Sequence, residues 1–290
     1  MLVSPGLREK IGRFSLTGRG RVRSSRGGRH LSVHKGESID FVDFREYTPG
    51  DDYRRIDHLL WARLGTPLIR EFEAERELSV RVVVDRSPSM GFHQKHPAAL
   101  GLAGLITYLA LAGGDRVELW TLPGQGGRQA ATRGPTGRHL SSWPRLEAWL
   151  EGLGIEPAEG TLGPALAAVM ASGRRRYTAL VSDLLVEDWR AGLDRLAGSA
   201  GGMVLHLLGS AELDPQVLGD VRLRDAETGE ESDFSGTVDA YDRYRSRLDD
   251  LCEQMAKRSA RSGLRYLLVE AGPDASERTF AGLAAAGMVR

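Results

Sequence analysis

The chain contains one cysteine, Cys252, among its 290 residues. A single thiol excludes an internal disulfide and any zinc site built on several cysteines. Long hydrophobic runs are also lacking, because the most apolar stretch, residues 100–112, is shorter than the roughly 18 residues that indicate a membrane span. Residues 1–6 lack the apolar core of a signal peptide. We therefore expect a cytoplasmic protein without a membrane span.

The sequence has no net charge, since 39 Lys and Arg residues balance 39 Asp and Glu residues. This balance argues against a protein that binds nucleic acid or membranes over its whole surface. The charge is unevenly distributed, because residues 1–36 contain nine basic residues and one acid, Glu9. Such an arm either contacts nucleic acid or an acidic protein surface, or is a solvated segment. The stretch from Arg19 to Arg29 contains no aromatic residue for base stacking, so a nucleic-acid partner is not expected.

Three segments are predicted along the chain. Residues 1–36 form a basic, partly extended N-terminal arm, residues 37–77 a small β-containing subdomain, and residues 78–290 the main domain. In the main domain, strands alternate with helices, which predicts right-handed βαβ units, and hence an α/β fold of the Rossmann-like type with a mostly parallel central sheet flanked by helices. Turn residues between two short strand-like stretches predict a hairpin insertion near 220–234.

A run of β-branched residues from Val80 to Val84 predicts a strand that is buried on both faces. The strand ends at Asp85, which begins an Asp-x-Ser-x-Ser pattern with Ser87 and Ser89. In a parallel α/β sheet, the carboxyl ends of the strands form the crevice in which ligands bind. The placement of this pattern therefore indicates a binding site.

Two further oxygen-bearing residues are expected at the same edge of the sheet. Thr161 begins a predicted helix, and Asp183 follows the predicted strand 177–182. A hard cation such as Mg²⁺ or Mn²⁺ prefers oxygen ligands. The expected ligands are Asp85, Ser87, Ser89, Thr161 and Asp183. Because only two of the five are charged, a bound ion would attract a carboxylate from another molecule, which favours recognition over catalysis.

Each of these residues also has an ordinary structural explanation. Thr161 and Asp183 are residue types that cap helices, and Ser87 lies in a Ser-Pro-Ser sequence that is typical of turns. Capping does not readily explain why five such residues lie at the ends of strands and the start of a helix on one edge. We therefore favour the metal site.

The five residues resemble the metal-ion-dependent adhesion site (MIDAS) of von Willebrand factor type A domains. The chain outside this motif resembles the bacterial domain-of-unknown-function-58 family. That resemblance extends over nearly the whole sequence beyond about residue 15 and rests on the segments Tyr47–Asp52, Arg55–Asp57, Ala62–Arg63, Arg70–Phe72, Asp220–Leu223 and Glu227–Glu230.

The resemblance implies a von Willebrand factor A-like domain and an association with MoxR-type AAA+ ATPases. The expected function is a non-enzymatic, metal-dependent protein-interaction module. It would act as a partner or adaptor of such an ATPase in a chaperone-like system, and bind a client protein that offers an acidic residue to the metal.

Other functions remain as alternatives. Asp85 beside Mg²⁺ could act as the nucleophile of a phosphoester hydrolase, although no general acid is placed nearby. The basic arm could bind nucleic acid electrostatically. The sequence has no P-loop and no G-x-S-x-G nucleophile elbow, which argues against nucleotide hydrolysis by that route and against a serine triad.

Overall fold

The structure, a computed structural model, describes residues 1–16, 39–74, 78–123, 130–157, 161–173, 176–215, 219–226 and 229–289. The described strands are β1 (Ile39–Glu46), β2 (Leu68–Ala74), β3 (Ser79–Asp85), β4 (Arg116–Leu122), β5 (Thr132–Gly137), β6 (Tyr177–Ser182), β7 (Gly202–Leu208), β8 (Gly219–Arg224), β9 (Glu231–Gly236) and β10 (Leu264–Glu270). The described helices are α1 (Pro5–Ile11), α2 (His58–Leu64), α3 (Lys95–Ala112), α4 (Trp143–Glu151), α5 (Leu162–Met170), α6 (Trp189–Leu196), α7 (Ser210–Leu213), α8 (Val238–Arg261) and α9 (Ala275–Ala285).

The chain divides into two compact units, one formed by residues 1–18 and 78–290 and the other by residues 19–77. In the smaller unit, β1 and β2 pair antiparallel. Asp57 caps α2 there, because its carboxylate accepts hydrogen bonds from the backbone N–H groups of Leu59 and Leu60, both at 3.1 Å. Residues 17–36 of the expected basic arm lie outside the described residues.

The larger unit is built around a sheet with the strand order β10–β7–β6–β3–β4–β5. All neighbouring pairs are parallel except β4 and β5, which are antiparallel. The predicted mixed α/β fold, with a mostly parallel central sheet flanked by helices, is therefore confirmed. The Gly-rich segment 124–127 between β4 and β5 lies outside the described residues.

Strand β3 is buried on both faces, as its β-branched sequence predicted. Val82 and Val84 belong to the core on the side of α3, whereas Val83 belongs to the core on the side of α5 and α6. All three side chains are fully buried. Burial of a side chain of this size contributes about 1.5 kcal/mol or more. The strand that ends at Asp85 is thus held rigidly from both sides.

The beginning of the chain differs from the prediction. Residues 1–16 were expected to belong to a partly extended arm, but α1 lies in this segment and packs against α3. The hydroxyl of Ser4 caps the helix by accepting a hydrogen bond from the N–H of Leu7 at 3.3 Å. Leu7 and Ile11 are buried in the core of the larger unit. Two helical turns are marginal in water, so this helix depends on its tertiary contacts.

Strand β5 was not predicted, whereas the hairpin insertion was. The hairpin consists of β8 and β9, which pair antiparallel and are mostly exposed. The following helix, α8, packs against β10. None of the described helices has both the length and the apolar character needed to cross a membrane.

Candidate functional site

The carboxyl ends of β3 and β6 bring two of the predicted ligands together. These strands are adjacent and parallel, and Val84 of β3 is paired with Val181 of β6. Asp85 therefore leaves the sheet beside Ser182, and Asp183 follows directly. The two acids of the predicted set therefore lie at the same edge of the sheet.

The Asp85 carboxylate is buried and already accepts two hydrogen bonds. Its Oδ1 accepts from the backbone N–H of Ser87 at 2.9 Å, and its Oδ2 accepts from the Ser182 hydroxyl at 2.5 Å. Burial raises the pKa of Asp85 to about 6, the negative charge of Asp183 adds to this rise, and hydrogen bonding from Ser182 and Ser87 opposes it. Each carboxylate oxygen has two lone pairs, so both oxygens can still bind a cation.

The two serines of the motif point their hydroxyls at each other. Ser87 precedes a short 3₁₀ helix, Pro88–Gly91, and its side chain makes no capping hydrogen bond to that helix. Instead, its Oγ lies 3.1 Å from the Oγ of Ser89, and both residues are buried. The turn therefore exists, but it does not use the Ser87 hydroxyl as a cap.

Thr161 occupies the N-cap position of α5 without acting as the cap. Its side chain makes no capping hydrogen bond. The N–H groups of Leu162 and Gly163 donate to the carboxylate of Asp188, at 3.0 Å and 2.6 Å. Asp188 lies in the segment that follows Asp183, so this cap ties the start of α5 to the loop after β6. Within the described residues, no hydrogen bond joins the Thr161 side chain to the other four predicted ligands.

Asp183 is paired with a lysine that sequence analysis missed. The ammonium of Lys95 donates to Asp183 Oδ2 at 2.8 Å and to Glu212 Oε1 at 2.5 Å. The Lys95 side chain is 1% exposed, as is that of Asp183. Burial lowers the pKa of Lys95, but the two carboxylates together prevail, so its pKa lies above the ordinary value. The available sequence signal was a lysine at the start of an otherwise apolar helix, α3.

Three residues beside the site have positive φ, a backbone conformation that is unfavourable for residues other than glycine. Leu184, which follows Asp183, has φ of +51°, and His93 and Gln94, which precede α3, have φ of +48° and +61°. Positive φ is uncommon for residues other than glycine, and each such residue costs on the order of 1 kcal/mol or more. Strain of this kind concentrates at functional sites.

The donors suit a small hard cation. Ligands about 2.1 Å from an octahedral ion lie about 3.0 Å from their neighbours, which is close to the 3.1 Å between the Ser87 and Ser89 hydroxyls. Within the part of the chain that the structure describes, no group of three or more His, Cys, Asp or Glu side chains is placed to hold a metal. An ion here would therefore need hydroxyl ligands as well as carboxylates, which is the composition of the predicted set.

Comparison with known proteins places the chain in a family. A family model described as "Protein of unknown function DUF58" matches residues 43–267. The chain belongs to the DUF58 family. An uncharacterized protein of Mycobacterium bovis and one of Mycobacterium tuberculosis are each 32% identical to it, over 80% of this chain and 74% of theirs. The DUF58 match includes all five predicted ligands and Lys95.

A solved structure gives a weaker similarity. The crystal structure of the pilus adhesin SpaC from Lactobacillus rhamnosus GG matches this DUF58 chain with a TM-score of 0.45 and 13% identity, over 74% of this chain and 31% of that chain. The DUF58 chain thus spans less than a third of the adhesin. A similarity of this size assigns neither fold nor function.

The Asp188 cap predicts a difference between two substitutions in this DUF58 chain. Thr161→Ala should change the free energy of unfolding by less than about 0.5 kcal/mol, because the hydroxyl does not cap α5. Asp188→Ala should cost about 1 kcal/mol, because it leaves two helix N–H groups without their acceptor. Urea denaturation without divalent cations measures both. A loss of about 1 kcal/mol in Thr161→Ala would contradict this assignment of the cap.

Proposed function

We propose that the larger unit is a von Willebrand factor A-like domain that binds Mg²⁺ or Mn²⁺ at the carboxyl edge of β3 and β6. The observation that carries this proposal is the buried cluster of Asp85, Ser87, Ser89 and Asp183 at the ends of two adjacent parallel strands. Thr161, at the start of α5, is the proposed fifth ligand. The Thr161 side chain is exposed, so its hydroxyl is accessible to an ion and to a partner.

The charges of the cluster favour a further ligand from outside. Asp85 and Asp183 are its two acids, and Asp183 already shares its charge with Lys95. A divalent cation held there would thus be incompletely neutralised, and it would supply an electrophilic centre for an incoming oxygen ligand. A carboxylate is the side chain that best satisfies such a centre. We infer that the protein recognises an acidic residue of another protein.

The proposed partner class is a MoxR-type AAA+ ATPase, with a client protein as the other possible source of the acidic residue. The sequence resemblance supports this partner, and the absence of a P-loop from the sequence supports a division of labour in which the ATPase hydrolyses the nucleotide. The chain would then be a non-enzymatic adaptor in a chaperone-like system.

No described contact favours the hydrolase alternative. A general acid must reach the substrate, and the basic side chain that the structure pairs with Asp183 is Lys95, which is buried and held by two carboxylates. The ammonium therefore serves as a fixed positive charge. The adaptor function requires only such fixed charges and an open ligand position.

Binding to a MoxR-type ATPase of the same organism tests this function. Biolayer interferometry with immobilised full-length protein should show binding in Mg²⁺ or Mn²⁺ and at least tenfold weaker binding in EDTA, because the external carboxylate needs the ion. Readdition of the cation should restore binding. Undiminished binding in EDTA would refute the proposed metal dependence.

A further inference from the structure

Lys95 is a buried cation that contacts Asp183, one of the proposed ligands of the metal site. It begins α3, and its side chain reaches the residues that follow β6 and β7, namely Asp183 and Glu212. The distance from Lys95 Nζ to Asp183 Oδ2 is 2.8 Å, and the side chains of both residues are 1% exposed. The ammonium therefore occupies the same carboxylate that the metal ion is proposed to use.

Two cations that share one carboxylate compete for its charge. In the interior of a protein, a charge is screened less than in water, so the interaction between Lys95 and Asp183 is stronger than that of a surface pair. A divalent ion near Asp183 would also be repelled by the ammonium. Lys95 thus lowers the affinity of the site for the ion. When no ion is bound, it neutralises the buried carboxylate of Asp183.

Glu212 limits this competition. Its Oε1 accepts from Lys95 at 2.5 Å, and its Oε2 accepts from the backbone N–H of Gly209 at 2.6 Å. The second bond anchors the carboxylate after β7, so Glu212 holds the ammonium between two acids. Without the charge of Glu212, the ammonium would interact with Asp183 alone.

We propose that Lys95 is a built-in counter-ion of Asp183 that keeps the affinity of the site for divalent cations low, and that Glu212 moderates this effect. The inference rests on the proposed metal-binding function and adds a regulatory element to it. A weakly held ion is bound more tightly once a partner contributes a carboxylate, so the counter-ion couples metal binding to partner binding. Lys95 acts through Asp183, as a positioning and charge-balancing residue.

Two substitutions with opposite expected signs test the proposal. Lys95→Met removes the competing charge and should strengthen Mn²⁺ binding about tenfold or more. Glu212→Gln removes the second carboxylate that neutralises the ammonium. Lys95 then interacts with Asp183 alone, so Mn²⁺ binding should weaken several-fold. Lys95→Arg retains the charge and should remain within about threefold of the wild type. Isothermal titration calorimetry and electron paramagnetic resonance of Mn²⁺, on the full chain at one pH, measure the affinity directly.

Matched controls separate the charge effect from a loss of folding. Lys257→Met removes a surface lysine that is paired with Glu253 and 62% exposed, and it should leave Mn²⁺ affinity unchanged. Thermal unfolding should show that Lys95→Met is less stable than the wild type without Mn²⁺, because Asp183 loses its partner, and that saturating Mn²⁺ recovers most of the loss. Glu212→Gln, at a partly exposed position, is expected to remain folded and tests the sign independently.

The possible results distinguish this inference from the proposed function. If the wild type binds Mn²⁺ and Asp85→Ala does not, the metal site is supported, and unchanged or weaker Mn²⁺ binding in Lys95→Met would then overturn the counter-ion alone. If neither the wild type nor any variant binds Mn²⁺, both proposals are overturned. A third result would support the counter-ion most strongly. In that case the wild type does not bind Mn²⁺, Lys95→Met does bind it, and adding Asp85→Ala to Lys95→Met abolishes the binding.

Discussion

Asp85→Asn should abolish divalent-cation binding and, at the same time, stabilise the cation-free protein. Burial and, to a lesser extent, the charge of Asp183 raise the pKa of Asp85 to about 6, from the ordinary value of 3.8 for an aspartate side chain. The folded protein therefore holds this proton more tightly than the unfolded chain does. At pH values below the pKa of Asp85 in the unfolded chain, the carboxyl is protonated in both states and does not lower the free energy of unfolding. At pH values above its pKa in the folded protein, the carboxyl is ionised in both states, and the full cost of burying the charge lowers the free energy of unfolding.

The size of the effect follows from the pKa. Because a tenfold change in proton affinity corresponds to about 1.4 kcal/mol, the raised pKa means that Asp85→Asn should gain on the order of 3 kcal/mol at pH 7.5 and less at pH 5. Urea denaturation in EDTA at both pH values measures the gain, and Mn²⁺ titration measures the lost binding. A variant that is less stable than the wild type at pH 7.5 would show that the buried carboxylate is not under electrostatic stress.

The same substitution at Asp183 provides a matched control. Asp183→Asn leaves Lys95 buried beside a neutral amide, and breaking one side of a buried ion pair typically costs roughly 3 kcal/mol. Both substitutions should therefore eliminate metal binding, but they should change stability in opposite directions. This contrast would show that Asp85 contributes to metal binding at a cost in stability, whereas Asp183 contributes both to metal binding and to the stability of the fold.

Glu118→Gln should be among the most destabilising single changes in the larger unit. Glu118, in β4, is 3% exposed and pairs with three arginines: the fully buried Arg81, at 3.7 Å, together with Arg133 and Arg176. Loss of the carboxylate charge would leave the Arg81 guanidinium in the core without its counter-charge. Burial already lowers the pKa of Arg81, whereas Glu118 opposes that shift. We expect a loss of about 3–5 kcal/mol in the free energy of unfolding.

Arg133→Gln is the control for this cluster. The Arg133 side chain is 56% exposed, so its pair with Glu118 should contribute less than about 1 kcal/mol. Equilibrium urea denaturation of both variants gives the two values on one scale. Equal losses would mean that Arg81 does not depend on Glu118 for its neutralisation. Neither variant should alter Mn²⁺ affinity, because the cluster is separate from the proposed ligands.

Much of the larger unit follows from local sequence patterns. The β-branched run before Asp85 predicted a strand buried on both faces, and β3 has that burial. Strand β5 could not be predicted, because its sequence, Thr-Arg-Gly-Pro-Thr-Gly, contains residue types that disfavour strands. It is a strand because it pairs with β4 and because Trp149 and Leu146 pack over its two glycines, Gly134 and Gly137.

The sequence alone determined which residues lie at the carboxyl edge of the sheet, because hydrophobic periodicity sets where each strand ends and parallel strands end at the same edge. The tertiary structure alone decided which charges meet there. Lys95, Asp183 and Glu212 are far apart in sequence, and no periodic pattern connects them. Asp188 likewise replaces Thr161 as the cap of α5 only because the loop after β6 folds against that helix. Side-chain pairing across elements depends on packing geometry, whereas strand ends depend on local composition.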